Sequence, residues 1–353
     1  MLRNFLAWPT AAAFWILSGF VFAHILANWR NPNKQRSKYS ELSYGVFLII
    51  LGIYVVNLMN GVPDSQATIM YGILFGFIIA VLAWILIPNV LFTYLRVKRE
   101  PSLHVERSYE KFLKEVTERY ASNPKEDTAK DWSRKILHFI QFSAIVIIHV
   151  ACVYWAPTYA DKGISAIVMR NFVYIFIASF FIFMFMVADL FRITRFEYLP
   201  DWAHKWYGKS LELRTETWSY NAAAPILLAN LMFTPAVVPP GVLLSCTFIS
   251  CVADALASIF GKYFGKHKLT HFGKYPHKSY EGLIAGALAS ALGVIILMSI
   301  FPIPSVSQWY LLMCAMWAMA VFLYTDCFST HIGDNVLNPV LAGSGFLLIL
   351  LLF

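Results

Sequence analysis

The sequence predicts an all-α, polytopic integral membrane protein of about ten transmembrane helices, with both termini on the non-cytoplasmic side. Three observations predict it. The 353-residue chain is 59% hydrophobic and only 14% charged, with mean hydropathy +0.60, against roughly 25% charged residues in an average soluble domain. Its apolar residues gather in ten runs, each near the ~20 residues that cross a bilayer. Threading those runs alternately through a membrane leaves only Arg3, Lys162 and Arg170, of the 28 Lys and Arg, on the outer side. That is the positive-inside pattern.

The runs are 10–28, 43–60, 69–95, 136–156, 170–191, 222–236, 240–260, 280–301, 307–325 and 338–353. The sixth and tenth are short. An alternative makes 222–260 one re-entrant unit broken at Pro235, Pro239 and Pro240. The basic side holds segments 29–42, 96–135, 192–221, 261–279 and 326–337, and among the acids only Asp64 and Asp161 fall opposite. The first run does not read as a cleaved leader. Its heavier positive flank (Arg30, Lys34, Arg36, Lys38) follows the apolar stretch, as in an N-out anchor. Topology thus accounts for the net charge of +8. Membrane lipids are the expected surroundings, and no nucleic acid is expected. The five cysteines (Cys152, Cys246, Cys251, Cys314, Cys327) are odd in number, lie mostly in apolar runs and form no CxxC, so neither a disulfide framework nor a zinc site is indicated.

Residues 96–135 form the longest polar segment. Val105, Tyr109, Phe112, Leu113, Val116 and Tyr120 recur at helical spacing, with charged residues between them. The pattern predicts one amphipathic helix, lying on the membrane or on the domain and ended by Asn123-Pro124. Three segments result: an N-terminal three-helix membrane region (1–97), a cytoplasmic amphipathic segment (98–130) and a membrane domain (131–353). Subunit contacts, if formed, would be mostly intramembrane.

The chemistry concentrates in 250–290. Asp254 is the single acid of its apolar helix, and such an acid is costly and faces the protein interior. Ser250, Ser258 and Gly261 share its face at helical spacing. One reading is an interhelical hydrogen bond in a close small-residue packing. The other is a metal held against a phosphate-bearing substrate, because a cationic loop follows. That loop carries Lys262, Lys266, Lys268, Lys274 and Lys278, with His267, His271 and His277. Gly261, Gly265 and Gly273 would let backbone amides approach phosphate oxygens. The next helix opens on Lys278, Ser279, Glu281 and Gly282, where amides and dipole favour an anion. Gly282, Gly286 and Ser290 form a small-residue face suited to packing on the Asp254 helix.

Arg134, Lys135 and His138 stand where the fourth run begins, on the same membrane side. Asp189, Arg192, Arg195, Arg214 and Glu216 flank the next polar loop and are expected to pair among themselves. Asp334-Asn335 opens the tenth run, as a cap or as a second metal or base position.

In order, RKILHF, LRTETW, DALASIFGKYFG, KSYEGLIAG and DNVLNP resemble the polyprenol kinase family, which includes dolichol kinase, phytol kinase and the CTP-dependent diacylglycerol kinase. The resemblance covers 131–353 and leaves 1–130 without a counterpart. The family is distantly similar to phosphatidate cytidylyltransferases. Residues His331-Ile332-Gly333-Asp334 lack the second glycine and the arginine of that branch, which favours the kinase side. The resemblance implies transfer of the γ-phosphoryl of CTP to a lipid alcohol with Mg²⁺, at a site facing the cytoplasm of a cell membrane or endoplasmic reticulum. It implies nucleotide-binding roles for Arg134, Lys135, Gly261, Gly265, Ser279, Gly282 and Asn335. It implies catalytic roles for Asp254, Lys278, Glu281 and Asp334, with Asp254 and Asp334 at the metal. Asp334, Glu281 and His138 stand as alternatives for the general base. CDP-lipid synthesis from CTP and a phosphatidate is the nearest rival. A transporter is a more distant one, since the polar residues cluster at one membrane face and no matched pair of broken helices occurs.

Overall fold

The computed structural model describes residues 2–29, 38–122, 124–211, 217–220, 223–231, 238–270, 278–303, 307–329 and 332–352. The described residues are helical, and one isolated bridge, Lys268 with Ser279, is their only extended pairing. In chain order the helices are α1 (Leu2–Asn28), α2 (Lys38–Asn57), α3 (Asp64–Ile85), α4 (Phe92–Arg99), α5 (Ser102–Glu106), α6 (Tyr109–Ser122), α7 (Pro124–Tyr154) and α8 (Ala156–Ala160). They continue with α9 (Ala166–Thr194), α10 (Asp201–Ser210), α11 (Ala223–Leu231), α12 (Pro240–Phe248), α13 (Asp254–Tyr263), α14 (Tyr280–Ile300), α15 (Gln308–Phe328) and α16 (Asp334–Leu350).

Eight helical stretches are long and apolar enough to cross a membrane, so the chain is a polytopic membrane protein. The sixth run of the sequence corresponds to α11, only nine residues long, and the tenth to the 17-residue α16. Pro239 and Pro240 open α12, as proline at a helix start does at no hydrogen-bonding cost. Pro235 lies outside the described residues. All five cysteines are buried and free.

By contacts the chain divides into two compact units. Unit 1 is Met1–Arg134 with Ile175–Leu227, and unit 2 is Lys135–Tyr174 with Leu228–Phe353. The three segments read along the sequence do not follow this division, because 175–227 joins the N-terminal helices.

In unit 1, α1 and α2 pack closely where Gly45 meets Phe22 and Gly52 meets Trp15. Ser18 donates to the Gly45 carbonyl at 2.8 Å. A π-helical stretch, Leu86–Leu91, joins α3 to α4. Its cause is Pro88, which has no N–H for the Trp84 carbonyl. The Asn89 side chain donates to that carbonyl instead, at 2.7 Å.

The stretch read as one amphipathic helix is two, and the described residues of 96–135 also take in the end of α4 and the start of α7. α5 and α6 break at Arg107, whose guanidinium donates to the carbonyls of Glu197 (3.2 Å) and Leu199, and to Asp201 (2.5 Å). Val105 is consequently off the buried face, at 75% exposed. Pro124 begins α7 where the sequence suggested a stop. α6 lies on protein: Tyr109 and Phe112 pack on Phe196, with ring centroids 4.9 and 4.7 Å away.

Arg192, fully buried, anchors this platform. It donates to Asp189 (2.9 Å), the Tyr109 hydroxyl (2.8 Å) and the carbonyls of Thr217 (2.8 Å) and Ser219. Tyr207 donates to the same Asp189 oxygen at 2.8 Å. Of the other residues expected to pair here, Arg195 meets Glu197 at 4.0 Å, while Arg214 and Glu216 lie outside the described residues. His204 sits beside this network and accepts from Arg107 at 3.2 Å. Burial, and then the Arg107 charge, push its pKa down to about 4.

Two outcomes follow for unit 1. Arg192→Met strands a buried carboxylate and is expected to cost about 3–5 kcal/mol, against about 0.5 kcal/mol or less for exposed Arg99→Met. Denaturation in detergent, followed by tryptophan fluorescence, measures both. The unfolded chain takes up a proton at His204 near 6.5 and the folded chain near 4. Stability therefore falls as pH drops through that window, and His204→Gln should flatten this part of the pH–stability curve.

Candidate active site

The site lies wholly within unit 2. The span that contains it, Pro240–Tyr263, is interrupted by a π-helical stretch over Ile249–Ala253, directly before Asp254. A π segment adds a residue to the turn, so helical spacing does not carry across it. Ser250, expected on the Asp254 face, is buried and donates to the Cys246 carbonyl at 3.1 Å. Asp254, Ser258 and Gly261 remain together and line a cavity of about 490 Å³.

Five helices meet at this cavity. The start of the membrane part of α7 brings Lys135, the first residue of α13 is Asp254, and its last turn brings Lys262. The start of α14 brings Lys278, Ser279 and Gly282, the end of α15 brings Asp326, and the start of α16 brings Asp334. Lys268 enters from the strap between α13 and α14. Three carboxylates and four ammonium groups therefore line one cavity.

The charges pair in a definite way. Lys135 donates to Asp254 Oδ2 at 2.5 Å, and His138 Nδ1 stands 3.9 Å from the same oxygen. Lys278 donates to Asp326 Oδ1 at 2.5 Å and to the Asp326 carbonyl at 3.0 Å. Burial works to lower the Lys278 pKa, but Asp326 and then Asp334 outweigh it and hold it above the usual lysine value. The ammonium is thus charged throughout the neutral range.

α13 and α14 approach closely here. A Cβ on Gly282 would stand 2.6 Å from the Ala257 carbonyl oxygen, a backbone atom that cannot swing aside. Ser279 is the N-cap of α14, its Oγ accepting from the Gly282 N–H at 3.2 Å. Gly265 does not line the cavity. A Cβ there would meet the Gly261 carbonyl at 2.0 Å and Ser279 Oγ at 2.5 Å, so its glycine is required by packing.

Glu281 also departs from its expected catalytic place. Its carboxylate accepts from the backbone N–H of Lys266 (3.2 Å) and His267 (3.1 Å), and meets His267 Nδ1 at 2.7 Å. Together with Leu269 N–H to the Lys278 carbonyl and Tyr280 N–H to the His267 carbonyl, both 2.9 Å, it fastens the strap that presents Lys268. The sequence did not separate these roles because the strap's backbone is formed only by folding.

Asp334 lines the cavity, with Oδ1 accepting the Asn335 N–H at 2.8 Å. Asn335 itself does not line it. Arg134 belongs to unit 1, and its side chain lies outside the described residues, as do His271, Gly273, Lys274, His277 and His331. Asp326 was missed by sequence reading. Its one signal is an acid closing an apolar run on the basic side of the membrane.

Among the described residues no three His, Cys, Asp or Glu side chains are grouped as a metal cage. Mg²⁺ does not need one: it is commonly held by one or two carboxylates together with substrate phosphates. The hard oxygen donors of Asp254 and Asp334, which line one cavity, fit that mode.

No family model matches this chain, and no curated protein or solved structure matches it either.

The geometry yields two checks. Gly282→Ala forces α13 and α14 apart and is expected to cost about 1–3 kcal/mol, read as a lowered melting temperature in detergent. Glu281→Gln should leave the fold in place but release the strap. Amide exchange at Lys266 and His267 would then accelerate at least tenfold while that of α14 stays unchanged.

Proposed function

We propose that this protein is a phosphotransferase acting on an alcohol at the membrane surface. More specifically, it is a Mg²⁺-dependent kinase that moves the γ-phosphoryl of CTP to a polyprenol- or dolichol-type lipid hydroxyl, with phytol and diacylglycerol as related acceptors. One observation carries the reading: a single cavity at the helix ends gathers Asp254, Asp326 and Asp334 with Lys135, Lys262, Lys268 and Lys278. Phosphoryl transfer asks chiefly for positioning and charge stabilisation, and this side-chain set supplies both. The ordered motifs over 131–353 supply the choice of CTP and of a lipid acceptor.

In this mechanism Lys135, Lys262 and Lys268 bind the nucleotide phosphates. Lys278 neutralises charge developing on the transferred group. Asp254 and Asp334 would hold Mg²⁺, which supplies further charge neutralisation on the phosphate oxygens. Of Asp334, Glu281 and His138, Asp334 is the one that lines the cavity; serving as base for the acceptor hydroxyl, it would leave Mg²⁺ to Asp254 and the nucleotide phosphates. The acceptor's chain stays in the bilayer and its hydroxyl enters at the end of the helices. We assign this end to the cytoplasm by the positive-inside pattern, with α11 and α16 completing ten membrane segments and both termini outside.

Product analysis tests the proposal. Purified protein in detergent with Mg²⁺ is given CTP labelled at the γ-phosphate, and polyprenols, phytol or diacylglycerol. Label in the lipid is expected. Release of pyrophosphate when a phosphatidate is supplied would overturn the kinase reading in favour of CDP-lipid synthesis. Asp254→Asn should lower turnover by about 10²-fold or more while the protein still elutes as a folded species, and full turnover in this variant would remove Asp254 from the mechanism.

A further inference from the structure

Lys278 alone is a poor instrument for fixed geometry. Its ammonium rides on a flexible four-carbon stem with freely rotating donors. In unit 2 it is not left to rotate. Its Nζ donates to Asp326 Oδ1 at 2.5 Å and to the Asp326 carbonyl at 3.0 Å. Both acceptors lie in the last turn of α15, where unsatisfied carbonyls and the helix dipole favour a cation.

The helix end that carries Asp326 is itself held from two sides. On one side Thr325 Oγ1 meets the buried Asn338 Oδ1 of α16 at 2.5 Å. The Val321 and Phe322 carbonyls, at 3.0 and 3.2 Å, are alternative acceptors for the single Thr325 hydroxyl proton. On the other, Cys327 is buried with Leu269 of the strap and Leu283 of α14, against Leu323. Asp326 is 8% exposed. No such support would be needed for a carboxylate that merely ended a transmembrane helix at the water interface.

We infer that Asp326 is a positioning residue for the transfer reaction, fixing the Lys278 ammonium at the cavity wall from the end of α15. The inference rests on the phosphoryl-transfer reading of the cavity. Asp326 makes no contact with the reacting groups in this scheme. It acts through Lys278, and the tie at Thr325 joins the α15 end that holds this ammonium to α16, which carries Asp334 into the same cavity.

Two measurements on the full-length protein in detergent test it. The first is steady-state kinetics of Asp326→Asn, which keeps side-chain shape and removes the charge. Misplacing a group that acts in the transition state by about 1 Å costs about 10²-fold. The variant should therefore lose about that in kcat with KM for CTP changed less than about threefold, and Asp326→Glu should recover at least tenfold. The second needs no activity: acylation of Lys278 by an amine-reactive reagent at one fixed pH, quantified by mass spectrometry, with exposed Lys266 as internal control. Lys278 should react slowly in the wild type and at least tenfold faster in Asp326→Asn, with Lys266 unchanged.

Unchanged kcat in Asp326→Asn, in a wild type that transfers phosphoryl, overturns the inference and leaves the kinase reading standing. Unchanged labelling of Lys278 overturns it as well. If labelling responds while the wild type transfers nothing from CTP, the geometric hold of Asp326 on Lys278 is upheld and the kinase reading falls.

Discussion

A carboxylate carried to the end of an apolar helix must find a cation, because burying the charge alone costs more than a fold of this kind can spare. In unit 2 that constraint is met twice, by Lys135 on Asp254 and by Lys278 on Asp326. Each pair links elements far apart in sequence. The first ties α7 to α13, and the second ties the start of α14 to the end of α15. The cavity is the space these ties enclose, and its charge pattern follows from them. Moving α15 would strand Asp326, and moving α7 would strand Asp254.

The same constraint is met differently in unit 1. There Arg192 is the buried ion, and Asp189, the Tyr109 hydroxyl, the Tyr207 ring and two backbone carbonyls surround it. These groups satisfy a guanidinium whose planar donor fork suits many acceptors at once. The pair is structural in character. It holds α6 and α10 on α9, whereas the unit 2 lysines line an open cavity. The buried ion pairs thus differ in one respect: those of unit 2 are open to a cavity, and that of Arg192 is fully enclosed.

Close helix packing sets the rest of the site's shape. Gly282 lets the α14 start reach the Ala257 carbonyl, and Ser279 caps the helix at that point. Glu281, next in sequence, faces the strap and not the cavity. One short stretch, Lys278 to Gly282, thus divides into a cavity cation, a cap, a strap fastener and a packing contact. This division explains why adjacent residues of one motif can differ in what their loss would do.

The sequence by itself determined the membrane class and eight of the ten runs it offered as spans, because hydropathy is a local quantity that a bilayer sorts directly. It also singled out Asp254, Lys135, Lys278 and Asp334, since a lone acid or a flanking cation stands out against an apolar run. Other features depended on where the chain returns in space. Asp326 looked like an ordinary boundary residue until α15 was set beside Lys278. Ser250 lies in the π segment that precedes Asp254 and does not line the cavity. The 96–135 segment divided at Arg107 because carbonyls some 90 residues away needed its guanidinium. Tertiary structure decided which acid holds which lysine, and it did so because ion pairing and close packing are satisfied only between helices that the sequence lists far apart.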